Sequence, residues 1–128
     1  MDAIRVKSIK RAQKEALLYR EISTLFLKIT LEDARLQELF INRVSLSPDK
    51  GMCSIFFYTD RGEAGFQELM EILVLYKPSL RKALSSRIPS RYVPNLLFKF
   101  DTKFEKHQRI EQLLETIKTE EPSSEEPS

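Results

Sequence analysis

Apolar residues in the first thirty positions recur at three- and four-residue steps: Ile9, Ala12, Ala16, Tyr19, Ile22 or Ser23, Phe26 and Ile29. That period predicts one helix over 3–28. Leu18 and Leu25 widen its stripe, and no Gly or Pro interrupts it. A short capped turn or a short helical turn follows at Thr30–Leu36. The period then drops to two, with Phe40, Asn42, Val44 and Leu46 on one face of a strand over Phe40–Ser47. Ser47-Pro48-Asp49-Lys50-Gly51 is a turn signal. The β-formers Ile55, Phe56, Phe57 and Tyr58 make Met52–Thr59 a second strand, antiparallel to the first in a hairpin. Helical spacing returns with Phe66, Leu69, Met70, Leu73 and Tyr76, behind a capping box of Asp60 and Glu63. Pro78 cannot continue that helix smoothly. Another spans Ser79–Ile88, with Leu80, Ala83, Leu84 and Ile88 inward and Arg81, Lys82, Ser85 and Ser86 towards solvent. Pro89 stops it. Leu96, Phe98 and Phe100 alternate in a third strand, Asn95–Asp101. Asp101 or Thr102 caps a last helix to about Lys118, with Ile110, Leu113, Leu114 and Ile117 apolar.

The element order is α-β-β-α-α-β-α, an α+β chain with one three-stranded sheet covered by helices. This is the order of a type II KH fold with an added C-terminal helix. Residues 1–118 form one domain. The end, 119–128, reads TEEPSSEEPS; it is acidic, Pro/Ser-rich and expected to be disordered.

Charge changes the picture. The formal net charge of +2 hides a segregation. Residues 1–28 carry seven basic and three acidic residues. Between Glu71 and Asp101 there is no acid, yet Lys77, Arg81, Lys82, Arg87, Arg91 and Lys99 fall there. Two such blocks suggest a field aimed at a polyanion. In the first helix the basic residues Arg5, Lys7, Lys10, Arg11 and Lys14 crowd the N-terminal half, where positive charge opposes the macrodipole. That local cost favours a functional reason over a solvated face.

Catalytic chemistry is not legible. His107 is the sole histidine and Cys53 the sole cysteine. One thiol makes no internal disulfide, which fits a reducing cytoplasm. Zinc or iron–sulfur binding needs more ligands. No phosphate-binding glycine motif occurs, so neither cofactor nor metal is expected. No apolar run of membrane-spanning length and no signal-peptide core are present. Gly62-Glu63-Ala64-Gly65 has the letters of the GXXG clamp by which KH modules grip RNA backbone. Glu63 would repel phosphate, and the tetrad precedes the middle helix where a clamp would join two helices. The helix junction itself is Tyr76-Lys77-Pro78-Ser79, without glycine.

In order along the chain, several segments resemble the ribosome-binding factor A family. They are Arg5-Val6 and Ile22 in the first helix, Asp33-Ala34-Arg35-Leu36, and Val44-Ser45-Leu46-Ser47-Pro48-Asp49. Further on come Leu80-Arg81, then Arg91-Tyr92-Val93-Pro94-Asn95-Leu96-Leu97-Phe98-Lys99-Phe100-Asp101, and finally Arg109-Ile110 with Leu113-Leu114. The similarity covers about 4–117. It implies a KH-like, non-enzymatic factor. Such a factor binds the free 30S ribosomal subunit and its 16S rRNA, assists late 16S rRNA processing, and supports cold adaptation. Where the family has an Ala-x-Gly kink, this chain has Tyr76-Lys77-Pro78.

The candidate RNA contacts are Arg81, Lys82 and Ser85, which share a helix face at i, i+1 and i+4 spacing, with Lys77 and Arg91 beside them. Arg5, Lys7, Lys10, Arg11 and Lys14 form the second set. Arg91 can alternatively pair with Asp101. The expected protein is a cytoplasmic monomer without membrane attachment. The competing reading is a protein-interaction adaptor, or an RNA-binding KH-like module outside ribosome assembly.

Overall fold

The computed structural model describes residues 2–89 and 93–125. Its elements are α1 (Asp2–Glu32), a 3-10 turn (Ala34–Glu38), β1 (Phe40–Leu46), β2 (Met52–Tyr58) and α2 (Gly62–Leu73). A second 3-10 turn (Val74–Tyr76), α3 (Lys77–Ser85), β3 (Asn95–Phe100) and α4 (Thr102–Glu125) complete it. The sheet order is β1-β2-β3, with β1 antiparallel and β3 parallel to β2. The expected α+β class and element order are therefore present.

The inner face of the sheet presents Cys53, Ile55 and Phe57 of β2 and Leu96, Phe98 and Phe100 of β3. Leu18, Ile22 and Phe26 of α1, Phe66 and Leu73 of α2, and Leu80 and Leu84 of α3 close over it. Phe57 sits at the centre, its ring centroid 5.3, 6.0 and 5.6 Å from those of Phe26, Phe66 and Phe98. Such aromatic pairs add about 0.5–1.5 kcal/mol each beyond burial.

The buried stripe of α1 runs through Leu18, Ile22, Leu25 and Phe26, all on the expected stripe, but some of its other positions stay outside the core. Tyr19 is 39% exposed and Ile9 50%. The Leu46 N–H, at the end of β1, donates to Glu15 Oε2 at 2.6 Å. Residues before Glu15 thus run past the end of the sheet, where no layer exists to bury Ile9.

β1 departs from the expected alternation. Ile41 pairs with Phe57 and Arg43 with Phe56, which leaves Asn42 as a bulge. Without it, Phe40, Asn42, Val44 and Leu46 would share the core face. With it, Leu46, Val44 and Ile41 face inward, and Phe40 turns out and is 56% exposed. A bulge inserts one residue and inverts the facing of those beyond it.

The capping box at Asp60 and Glu63 does not form. Arg61 holds the N-cap position of α2 and no side chain caps it. The Gly62 N–H bonds Thr59 O at 3.0 Å, and the Arg61 N–H bonds Thr59 Oγ1 at 3.3 Å. Gly62 closes this turn at φ +77°, a conformation costly for other residues. A Cβ on Gly65 would stand 2.3 Å from Arg61 Cβ. Both glycines of the clamp-like tetrad are thus spent on local backbone geometry.

At the α2–α3 junction the chain tightens into the 3-10 turn and runs straight into α3. Pro78 falls in the first turn of α3, where a missing N–H costs no bond. The helix starts before the expected Ser79 and ends at Ser85, yet Ile88 is still buried. Asp101 starts α4: its Oδ1 accepts the Phe104 N–H at 3.1 Å. α4 extends beyond Lys118, and its apolar residues Ile110, Leu113, Leu114 and Ile117 are about half exposed or more.

Candidate nucleic-acid interface

The first basic block lies on the part of α1 that overshoots the sheet. Arg5, Lys7 and Lys10 are exposed and Arg11 is partly so. Lys7, Lys10 and Arg11 line a groove of about 380 Å³ whose other wall is the hairpin tip, Pro48 and Lys50. Lys14 is half-buried and engaged within the fold. Lys50 owes its position to the turn, which it enters at φ +63°. Asp49, the one acid of that turn, is occupied locally. The Ser47 hydroxyl bonds its Oδ1 at 2.6 Å and the Gly51 N–H at 2.9 Å, and these bonds hold its carboxyl below the ordinary range.

The second block is arranged differently. Arg81 is turned from solvent and only half-exposed; its Nη2 donates to Val93 O at 3.0 Å and its Nε to Pro94 O at 3.4 Å. The expected face of Arg81, Lys82 and Ser85 is therefore split. Arg81 ties α3 to the segment before β3, while Lys82 and Ser85 stay exposed. The Ser85 hydroxyl is bonded to Lys82 O at 2.6 Å. Lys77 sits over the Phe98 ring, Nζ to centroid 5.2 Å. Arg87 reaches across to α1, with Nη1 3.1 Å from Glu21 Oε1. Arg91 lies outside the described residues. The pairing proposed for Asp101 is made by Arg43, Nε to Oδ2 3.2 Å.

The two blocks approach each other at one end of the sheet. The Asn95 N–H donates to Gly51 O at 2.9 Å, so the start of β3 adjoins the hairpin tip. A groove of about 430 Å³ between Lys77 and Arg81 of α3 and Asn95 to Leu97 of β3 opens beside Met52. The Arg87–Glu21 pair brings the end of α3 to α1, on the side from which the basic half of α1 projects. Lys50 was missed by sequence reasoning. Its signal was a lysine in a hairpin turn whose register puts it at the same end as the basic helix.

Other titratable groups serve the fold. Asp33 accepts from Arg35 Nε at 2.9 Å, Arg35 Nη2 at 2.7 Å and the Tyr76 hydroxyl at 2.9 Å. The Arg35 bonds, above all, hold its carboxyl far below the usual carboxylate range, and the hydrogen bond to Asp33 raises Tyr76. This lock pins the α2–α3 corner to the end of α1. Cys53 is fully buried, and burial with the nearby Glu15 charge pushes its thiol to about 11. His107 stands exposed on α4 beside Glu111. Among the described residues no group of three or more His, Cys, Asp or Glu could hold a metal ion. Nor is any described helix long and apolar enough to cross a membrane.

Fold and site together define a KH-like α+β protein with a cationic end and no glycine clamp. The family model described as "Ribosome-binding factor A" matches residues 10–114, and the chain belongs to that family. Ribosome-binding factor A of Prochlorococcus marinus subsp. pastoris is 38% identical over 84% of this chain and 82% of its own length. That of Syntrophus aciditrophicus is 35% identical over 88% and 91%. The crystal structure of ribosome-binding factor A from Thermus thermophilus superposes with a TM-score of 0.60 at 31% identity, covering 70% of this chain and 93% of that one.

Proposed function

We propose that this protein is a non-enzymatic assembly factor that binds the ribosome through RNA. Specifically, it docks on the free 30S subunit and its 16S rRNA and assists late rRNA processing, acting in the cytoplasm as a monomer. The observation that carries this reading is the cationic groove between Lys7, Lys10 and Arg11 of α1 and Lys50 of the hairpin tip. Folded RNA offers the phosphates such a groove fits, and neutralising them releases counterions. The exposed Lys82 extends the same field. The absence of a glycine at the α2–α3 corner favours docking on structured rRNA over gripping a single strand.

A lysate sedimentation profile tests the assignment. The protein is expected with free small subunits and absent from 70S and polysome fractions. Affinity for purified small subunits should fall steeply between low and moderate salt; a salt-independent affinity would sink the proposal. Exposed Ile110, Leu113 and Leu114 on α4 favour one second reading, a protein adaptor. Association that survives nuclease digestion of all rRNA would select it.

A further inference from the structure

The outer face of the sheet carries a built cluster that the cationic end does not use. Arg43 of β1 sits over the ring of Phe56 of β2, its guanidinium carbon 3.7 Å from the ring centroid. Lys99 of β3 points to the same ring from the other side, Nζ at 5.8 Å. Asp101 holds the guanidinium by Nε at 3.2 Å. Asp101 is itself 3% exposed and fixed as the cap of α4, so the plane of Arg43 is anchored from below. The Arg43 side chain is nonetheless 43% exposed. Among the described residues, no carboxylate lies within ion-pair distance of Lys99.

The β-bulge makes this arrangement possible. In a regular strand Ile41 and Arg43 would share a face. Insertion of Asn42 sends Ile41 to the core opposite Phe57 and Arg43 outward opposite Phe56. The insertion has a cost, because Asn42 Nδ2 is buried with no hydrogen-bond partner among the described residues. Bulges commonly re-aim a side chain at a functional position.

We infer that Arg43, Phe56 and Lys99 form a stacking site for an unpaired nucleobase of RNA, on the open sheet face. The base lies on the exposed plane of Arg43, extending the Arg43–Phe56 stack, and Lys99 takes the adjacent phosphate. A planar guanidinium stacks on a base where an ammonium cannot. Charge complementarity selects a nucleic-acid strand, and the flat guanidinium selects its base over its backbone. The site lies near the root of α4, towards the other end of the sheet from the hairpin tip, and rests on the RNA reading only for its class of partner.

The test is an NMR titration of the full chain with hexa-adenylate and with an abasic ribose-phosphate oligomer of the same length. Hexa-adenylate should shift the Arg43 Nε–H and Phe56 ring signals, and the abasic oligomer should shift only Lys7, Lys10, Arg11 and Lys50. Arg43→Lys, which keeps the charge, and Phe56→Leu should each weaken hexa-adenylate about tenfold. Lys99→Ala should weaken it less and leave the fold intact if Arg43→Lys does not. Equal shifts from both oligomers, or no movement at Arg43 with hexa-adenylate in the wild type, overturn the inference. So does an acidic peptide that shifts Arg43 where hexa-adenylate does not. Small-subunit co-sedimentation of a Lys10→Glu/Arg11→Glu variant reads the cationic end separately, so failure of one site is distinguishable from failure of the other.

Discussion

The two basic blocks look alike as lists of residues and behave as opposites as structure. Of the α3 block, Arg81 is spent on the carbonyls of Val93 and Pro94, Arg87 on Glu21, and Lys77 on the Phe98 ring. In the first half of α1, Lys7, Lys10 and Arg11 lie off the core and line a groove, while Lys14 is engaged within the fold. A cation whose hydrogen bonds are satisfied within the fold has already been desolvated and oriented. One that projects past the sheet keeps those interactions for a partner. A count of cations therefore does not rank the blocks. What ranks them is whether the fold supplies acceptors nearby.

The largest expected effect is on the open block. Lys7→Glu, Lys10→Glu and Arg11→Glu together should weaken small-subunit binding by at least about tenfold at low salt, and flatten its salt dependence, with the melting temperature unchanged. Filter binding against thermal melting separates the two readouts. Next is Arg81→Gln. It should cost about 2 kcal/mol of stability in urea titrations, because carbonyls near the start of β3 lose charged donors. If that variant kept full stability and lost binding instead, the contrast between the blocks would collapse. Lys82→Glu should be milder, a few-fold weaker binding with no stability change, because Lys82 is exposed and its side chain is held by no hydrogen bond or ion pair among the described residues.

The smallest effect concerns the lock that holds the α2–α3 corner. The folded Asp33 carboxyl lies below its unfolded value of 3.8, so it stabilises the fold above that pH. This contribution is lost as the pH falls below about 4. Asp33→Asn should be less stable at neutral pH, and its urea midpoint should drop less than the wild type's on going to about pH 3. Parallel acid curves for the two proteins would show that the lock contributes nothing.

The helices and strands were legible because their periods are strong. Val44 and Leu46, Phe98 and Phe100, Leu80 and Leu84 all face the core as their spacing requires. The misreadings arose where one residue or one distant acceptor decides the outcome. Nothing local marks Asn42 as an insertion, so Phe40 was assigned to the wrong face. Asp60 and Glu63 carry the letters of a capping box, but Gly62 in a left-handed turn prevents the geometry. Arg81 looked like surface charge because its partners are backbone oxygens twelve and thirteen positions along. Carbonyls have no signature in sequence. The site was half-legible for the same reason: the basic residues could be counted, but not which of them the fold had already claimed.

The parallel pairing of β2 with β3 also dictates an order of assembly. β1 and β2 join across a tight turn and can form as soon as both have left the ribosome. β3 closes on the other side of β2 only after α2 and α3 have been made. Until Asn95–Phe100 arrives, Met52–Tyr58 presents a row of unpaired amides and a Phe57 that lacks Phe98, the kind of edge that recruits neighbouring chains. A nascent chain stalled before Phe100 would keep that edge open. The late step in its own folding is the return of a single strand.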